Sequence, residues 1–398
     1  MAVLGAALAL APSQAGAAQR LETIDLPSTA GNVDLAQSRL NRPATKLQAN
    51  VLLPSGYDAQ PDRRWPVLYL LAGVGDNMTA WADPKKGNVA SILKGFDGIV
   101  VMPESGRGYF TDWWRGGTRV GSSWQRYYLD EVVPGIESRY RIAPGRANHA
   151  IGGISMGGYG GMTLSAALPT YFGNAFSLSG LLDLQAWGSV NVLPLDIGSP
   201  YTRIWGAPSG PYATMQNPVN LGPQLKDTRI YVYAGNGTVA AKYPFNFSAY
   251  TSGSIAEQEV RNQSMRFSNR VRAAGGTVTY STHTGVHDWP YWRAELPSLV
   301  KWNPFGAPPV SDTALATKWS YSTMAGHGNA WGIGFSFDRL PRSIVTFTRD
   351  GQQLSGTGVG TVTIEPGAAD ADASGKGTKP ACAFTTTLPF TRTLPAGC

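Results

Sequence analysis

A serine set between glycines at fixed spacing, Gly153-Ile154-Ser155-Met156-Gly157, has the Gly-x-Ser-x-Gly form that lifts a hydroxyl out of a tight strand-to-helix turn. The pattern alone is weak in a chain with 48 glycines among 398 residues, because small residues recur by chance. Its surroundings carry more. His149-Ala150-Ile151-Gly152 has the texture of a buried strand and residues 160–167 that of a helix, while Gly153, Gly157 and Gly158 permit the strained backbone between them. A serine placed there is a nucleophile only if a base takes its proton.

Four histidines are present. His149 precedes the serine inside its strand, and His327 lies in the C-terminal part. His283 and His287 both follow the strand Val278-Thr279-Tyr280. His287, in Gly285-Val286-His287-Asp288-Trp289, has a glycine-led loop and is the expected base; His283, nearer the strand end, reads as structural. A carboxylate must then fix the imidazole tautomer. The turn after Ile230-Tyr231-Val232-Tyr233 reads Ala234-Gly235-Asn236-Gly237 and offers no acid, which leaves Asp183, Glu257 and Glu259. In the helix running to Ala274, Glu257 shares a face with Val260, Ser264, Phe267 and Val271, whereas Glu259 shares one with Gln263, Arg266 and Arg270. Glu257 therefore faces inward, where it can reach a site. An acid in a first turn is also stabilised by the helix dipole, whatever else it does.

Attack by Ser155 on an ester leaves an oxyanion that needs two backbone donors. The expected pair is the N–H of Met156, just after the serine, and that of Val74 in the glycine-rich loop Leu71-Ala72-Gly73-Val74-Gly75. Trp81, Trp113 and Trp289 are the expected substrate-binding residues, with Trp114 and Trp292 close to them in sequence. Aromatic side chains in such a core serve more often for plain packing.

Short β-branched runs alternating with helical stretches must position these groups. Val51-Leu52-Leu53, Val67 to Leu71, Ile99-Val100-Val101-Met102, Ala150-Ile151-Gly152, Ile230 to Tyr233 and Val278-Thr279-Tyr280 are apolar enough to be buried on both faces. That predicts an α/β class with a mostly parallel central sheet covered by helices. After Gly306-Ala307-Pro308-Pro309 the helical periodicity ends, and Trp319 to Ser322, Trp331 to Phe337, Ser343 to Thr348 and Val359 to Ile364 read as strands. The expected organisation is a catalytic domain over 18–305 and a linker with a small β-rich module over 306–398, in which the Gly/Ala/Asp/Lys segment 367–379 reads as a flexible loop.

Hydrophobic residues at 42% and charged residues at 15% describe a globular chain. The net charge of +7 is scattered, with no basic run beyond Lys85-Lys86, so nucleic acid is not an expected partner and a solvated basic surface is. Residues 1–17 pair a small apolar stretch with Ala15-Gly16-Ala17, the form of a secretory cleavage site. No Lys or Arg precedes the apolar run, so 1–17 is taken as a truncated signal peptide and the protein as secreted or held at the cell envelope. No transmembrane segment of about 20 apolar residues is seen. The two cysteines, Cys382 and Cys398, suit a disulfide in an exported chain, worth ~3 kcal/mol by loop closure, but sequence leaves their pairing open. No metal or cofactor is expected.

Taken together, Tyr69-Leu70-Leu71-Ala72-Gly73, Val101-Met102-Pro103, Thr111-Asp112-Trp113-Trp114, residues 153–158, Ile204-Trp205-Gly206, Tyr233 to Thr238 and His287-Asp288-Trp289 resemble the esterase D-like family of α/β-hydrolases, the branch that includes actinobacterial mycolyltransferases. The likeness runs from Asn50 to Trp302. It implies a Ser–Glu–His triad whose glutamate opens the helix ending in Ala273-Ala274-Gly275-Gly276; counting back without gaps falls on Glu257. It also implies Val74 and Met156 as oxyanion donors. Two departures stand out. The mycolyltransferases' trehalose-seeking Asp and Arg correspond to Ala72 and Gly75 here, and the cysteine pair that follows their Asp-Trp motif is absent, with Gly116-Gly117-Thr118 in that region. The expected function is therefore secreted carboxylic-ester hydrolysis through an acyl-enzyme on Ser155, with an acyl ester, lipid or glycolipid as substrate. The alternatives are acyl transfer to a sugar or lipid alcohol, and a non-catalytic protein that binds a cell-envelope surface.

Overall fold

The computed structural model describes residues 18–26, 46–114, 123–194, 198–243 and 246–398. The expected signal peptide and Gly116-Gly117-Thr118 lie outside the described residues. Eight strands, β1 (Arg20–Asp25), β2 (Gln48–Leu53), β3 (Val67–Leu71), β4 (Ile99–Pro103), β5 (His149–Ile154), β6 (Asn174–Leu178), β7 (Arg229–Tyr233) and β8 (Val278–Ser281), form one sheet in the order β1-β2-β4-β3-β5-β6-β7-β8. From β4 to β8 the pairing is parallel, while β1 and β2 add an antiparallel edge. This is the expected α/β class.

Alternation along the strands divides the core in two. Val51, Leu53, Val67, Tyr69 and Leu71 join one apolar cluster, and their neighbours Leu52, Leu68 and Leu70 join a second on the opposite face. Because both faces are covered, β3, β4, β5 and β6 are buried along their whole length, which is why they read as continuous apolar runs. In register, Leu71 lies opposite Gly153, Ile154 opposite Leu178, Leu178 opposite Tyr233 and Tyr233 opposite Ser281. The carboxyl ends of β3 and β5 to β8 therefore finish at one edge, and Ser155, Met156, Val74, Glu257 and His287 all lie in segments that leave those ends.

Residues beyond 310 form two antiparallel four-stranded sheets. One contains β10 (His327–Ala330), β11 (Ile333–Phe337), β14 (Thr361–Pro366) and β15 (Phe384–Thr387); the other contains β9 (Lys318–Thr323), β12 (Val345–Asp350), β13 (Gln353–Thr357) and β16 (Phe390–Thr393). Tyr321, Phe347 and Leu354 from one sheet meet Phe335, Val362 and Ile364 from the other in a shared core. Cys382 and Cys398 are disulfide-bonded.

Segment 367–379 departs from expectation. Instead of a flexible loop it is packed: Ala373 is buried within the core of the α/β body, Asp370 accepts from Thr170 Oγ1 at 3.1 Å, and Asn329 Nδ2 donates to Ala369 O at 2.8 Å. Its small residues, which made it look like a linker, are what let the chain lie flat. A Cβ on Gly377 would sit 2.4 Å from Glu365 O. Further contacts tie the sheets to the α/β body. Tyr321 donates to Ala167 O at 3.0 Å, His327 Nε2 lies 2.9 Å from Asp130 Oδ2, and the guanidinium of buried Arg146 stands 4.6 Å from the Trp331 ring centre.

Candidate active site

Ser155 sits between β5 and helix α1 (Met156–Ala167), at φ 51° and ψ −116°. A side-chain-bearing residue held there costs ~1–3 kcal/mol and persists only where its surroundings impose it. Here the neighbours do so. A Cβ on Gly153 would lie 2.0 Å from Leu71 O, and one on Gly157 2.4 Å from the same atom, so the turn packs backbone to backbone against the end of β3. Ser155 N–H donates to Leu178 O at 3.0 Å. The hydroxyl is thus raised above the sheet edge at a helix N-terminus, where the dipole favours negative charge.

His287 Nε2 lies 2.9 Å from Ser155 Oγ, and His287 Nδ1 lies 2.9 Å from Glu257 Oε2. Glu257, in the first turn of helix α2 (Ser254–Ala273), is fully buried. Its other oxygen, Oε1, accepts from Ser179 Oγ at 2.6 Å and from Gly235 N–H at 2.5 Å. A carboxylate accepts only, so the imidazole proton resides on Nδ1 and Nε2 is left as the acceptor for the serine proton. The loop is held as well as the ring. His287 N–H donates to Gly253 O at 3.1 Å, and the ring meets Trp292 edge-on with centres 4.9 Å apart. Trp292 belongs to helix α3 (Trp289–Trp302), whose N-cap is Asp288.

The other candidates are occupied elsewhere. Asp183 pairs with Arg266 at 3.0 Å, and half-buried Glu259 accepts from Gln263 at 3.0 Å. His283 Nε2 is 2.7 Å from buried Glu295, which also accepts from Tyr231. His149 is buried between Tyr171 O and Ala143 O, and burial pushes its imidazole down to about 4. Ser179 and Gly235 were not singled out from sequence, because their relevance appears only when β6 and β7 are seen beside β5. Their shared signal is position: each lies just past the carboxyl end of a strand.

The loop after β3 runs directly beside the nucleophile, since a Cβ on Gly73 would stand 3.6 Å from that of Ser155. Val74 follows Gly73, and Met156 is the first residue of α1, so both lie in sequence next to residues at the serine. Asp76 anchors that loop: it pairs with Lys86 and accepts from Trp289 Nε1 at 3.2 Å. Arg293, one turn further along α3, donates to the carbonyls of Lys85 and Lys86 at 3.1 Å each. Of the tryptophans named from sequence, Trp289 is half-buried beside this loop. Trp81 and Trp113 are 1% and 6% exposed, with their indole N–H groups on Leu71 O and Gly108 O. Trp81 meets Trp289 edge-on at 5.0 Å and so stands behind it. Among the described residues, no group of three His, Cys, Asp or Glu could hold a metal, and no helix is long and apolar enough to cross a membrane.

Residues 40–302 match the family model described as "Esterase: Putative esterase". The chain belongs to this esterase family. Within it, the chain is 29% identical over 213 residues to the diacylglycerol acyltransferase/mycolyltransferase Ag85C of Mycobacterium avium, a match spanning 50% of this chain and 59% of that protein. It is 28% identical over 249 residues to Ag85B of Mycobacterium intracellulare, spanning 59% and 73%. The solved structure of Mycobacterium tuberculosis MPT51 (FbpC1) superposes with a TM-score of 0.55 at 22% identity, covering 72% of this chain and 98% of that one, a likeness of fold. The family is thus shown for this chain, and its eight-stranded, mostly parallel sheet agrees with the fold of the solved relative.

Proposed function

We propose that this chain is an exported carboxylic-ester hydrolase that works through an acyl-enzyme on Ser155. The observation that carries the proposal is the unbroken relay in which His287 stands 2.9 Å from Ser155 Oγ on one side and 2.9 Å from buried Glu257 on the other. Ser155 Oγ attacks the ester carbonyl carbon as His287 Nε2 takes its proton. The C–O bond to the alcohol then breaks, and His287 returns the proton to the departing oxygen. Water enters, gives a proton to His287 and its oxygen to the acyl carbon, and Ser155 leaves with that proton as the carboxylic acid is released. Glu257 stabilises the imidazolium at each stage without itself becoming protonated.

The N–H groups of Met156 and Val74 are the proposed oxyanion donors, supported by the closeness of Gly73 to Ser155. Trp289 is the proposed substrate contact, with buried Trp81 backing it; Trp113 belongs to the packing below. Export is supported by the disulfide between Cys382 and Cys398, a bond that persists in oxidising compartments.

The second reading, acyl transfer to a sugar or lipid alcohol, is favoured by the names of the curated relatives. It needs the same triad and differs only in what resolves the acyl-enzyme. p-Nitrophenyl esters of graded chain length, hydrolysed with and without a sugar acceptor, separate the two. Free acid as the dominant product supports hydrolysis, and acyl-sugar in excess of free acid overturns it.

A further inference from the structure

We infer that Ser179 is a positioning residue that acts on the reaction through Glu257, an inference that rests on the Ser155–His287–Glu257 reading above. Ser179 follows the last residue of β6, is fully buried and is held at φ 51°, a left-handed conformation that glycine adopts far more readily. Its backbone N–H is fixed on Tyr233 O at 2.7 Å, so the residue cannot drift from the sheet edge.

The hydroxyl has a single proton, and its direction is determined. Trp292 Nε1–H points at Ser179 Oγ at 2.9 Å, and an indole nitrogen only donates. The Ser179 oxygen therefore accepts from Trp292, and its proton goes to Glu257 Oε1, 2.6 Å away. The order of donation runs Trp292, Ser179, Glu257, with His287 Nδ1 donating to the other carboxylate oxygen. Trp292 also sets its ring edge-on against His287. One indole thus braces the imidazole directly and, through Ser179, the carboxylate that orients it.

Among the described residues Glu257 has three donors, Ser179, Gly235 and His287. The first two fix the carboxylate plane, and the third uses it. Without the Ser179 hydroxyl, Oε1 keeps one donor, the carboxylate can rotate about that contact, and the Trp292 N–H is left without its acceptor. The loss falls on the transition state, where the imidazolium forms, rather than on substrate binding, because Ser179 is buried beneath the triad.

The test is a double-mutant cycle on p-nitrophenyl butyrate hydrolysis with Ser179→Ala and Glu257→Ala, each protein checked by thermal melting. Ser179→Ala is expected to lower kcat roughly 10- to 100-fold with KM within about threefold, the size of one hydrogen bond to a buried charge. In the Glu257→Ala background the same substitution is expected to change kcat by less than about twofold. An equal loss in both backgrounds, or a raised KM with kcat retained, overturns the assignment. A Glu257→Ala protein with wild-type kcat instead overturns the triad itself, whatever Ser179 does. Ser179→Cys keeps a weaker donor at the same place and serves if Ser179→Ala does not fold. An intermediate kcat is expected of it, and wild-type kcat counts against the role.

Discussion

Replacing Glu257 by glutamine exchanges one carboxylate oxygen for an NH2 group and should remove almost all activity, for a reason that lies in the hydrogen bonds rather than in charge. Oε1 accepts from Ser179 Oγ at 2.6 Å and from Gly235 N–H at 2.5 Å, so the amide oxygen of a glutamine must stay there. Turning it over would aim the amide NH2 at a fixed backbone N–H in a buried site, leaving donors unsatisfied at ~1–3 kcal/mol each. The NH2 therefore falls where Oε2 was, 2.9 Å from His287 Nδ1. It donates, Nδ1 must accept, and the imidazole proton moves to Nε2. The ring then presents a donor to Ser155 and cannot take its proton. A wrong-tautomer substitution of this kind lowers kcat by ~10⁴, equivalent to about 5.4 kcal/mol of transition-state stabilisation. Substrate contacts are untouched, so KM should stay within a few-fold. The assay is steady-state p-nitrophenyl butyrate hydrolysis alongside circular dichroism melting. A folded Glu257→Gln protein with kcat within tenfold of wild type would refute the tautomer logic.

Three further outcomes follow from the packing. Gly157→Ala sets a Cβ 2.4 Å from Leu71 O and 2.8 Å from Ala72 O, both backbone, and should cost roughly 3 kcal/mol or more by urea denaturation. Gly188→Ala, whose nearest neighbour is Glu259 Cγ at 3.7 Å, is the control and should lie within about 1 kcal/mol of wild type. His149, pushed by burial from 6.5 to about 4, is neutral in the fold at pH values where the unfolded chain protonates it. Its contribution is complete above pH 6.5 and is lost as pH falls from there toward 4, by up to about 3 kcal/mol. Urea melts at pH 7.5 and 5 should thus show a smaller acid loss in His149→Asn than in wild type, and equal losses would contradict the assignment. Truncation after residue 309 strips Ala373 from the α/β core and removes the Tyr321 and His327 contacts. A fall in melting temperature of about 5–10 °C is expected, corresponding to a few kcal/mol, and an unchanged melt would mean the sheets are merely appended.

Much of this molecule is legible in its sequence, where the signal is local. Strands buried on both faces write themselves as continuous apolar runs, and the long helix between β7 and β8 places Glu257 on the same face as Phe267 and Val271 by simple periodicity. β1 escapes because Arg20, Leu21 and Asp25 are exposed on an edge strand that mixes charge with apolar residues. β10, β13, β15 and β16 escape because they are short and each carries at most one large apolar residue. Segment 367–379 was misread because alanine and glycine mean flexibility in a linker but close approach when a surface lies beneath them. Ser179 was invisible for a different reason. Its partners are Glu257, 78 residues away, and Trp292, 113 residues away, and only the order of β5, β6 and β7 brings them together.

The account depends on Ser155 being a nucleophile activated by His287. Incubating the folded protein with a fluorophosphonate probe and mapping the adduct by peptide mass spectrometry tests this directly. A single stoichiometric adduct on Ser155 is predicted, absent in Ser155→Ala and strongly slowed in His287→Ala. A folded wild-type protein that acquires no adduct on Ser155, or is labelled at the same rate without His287, would contradict it.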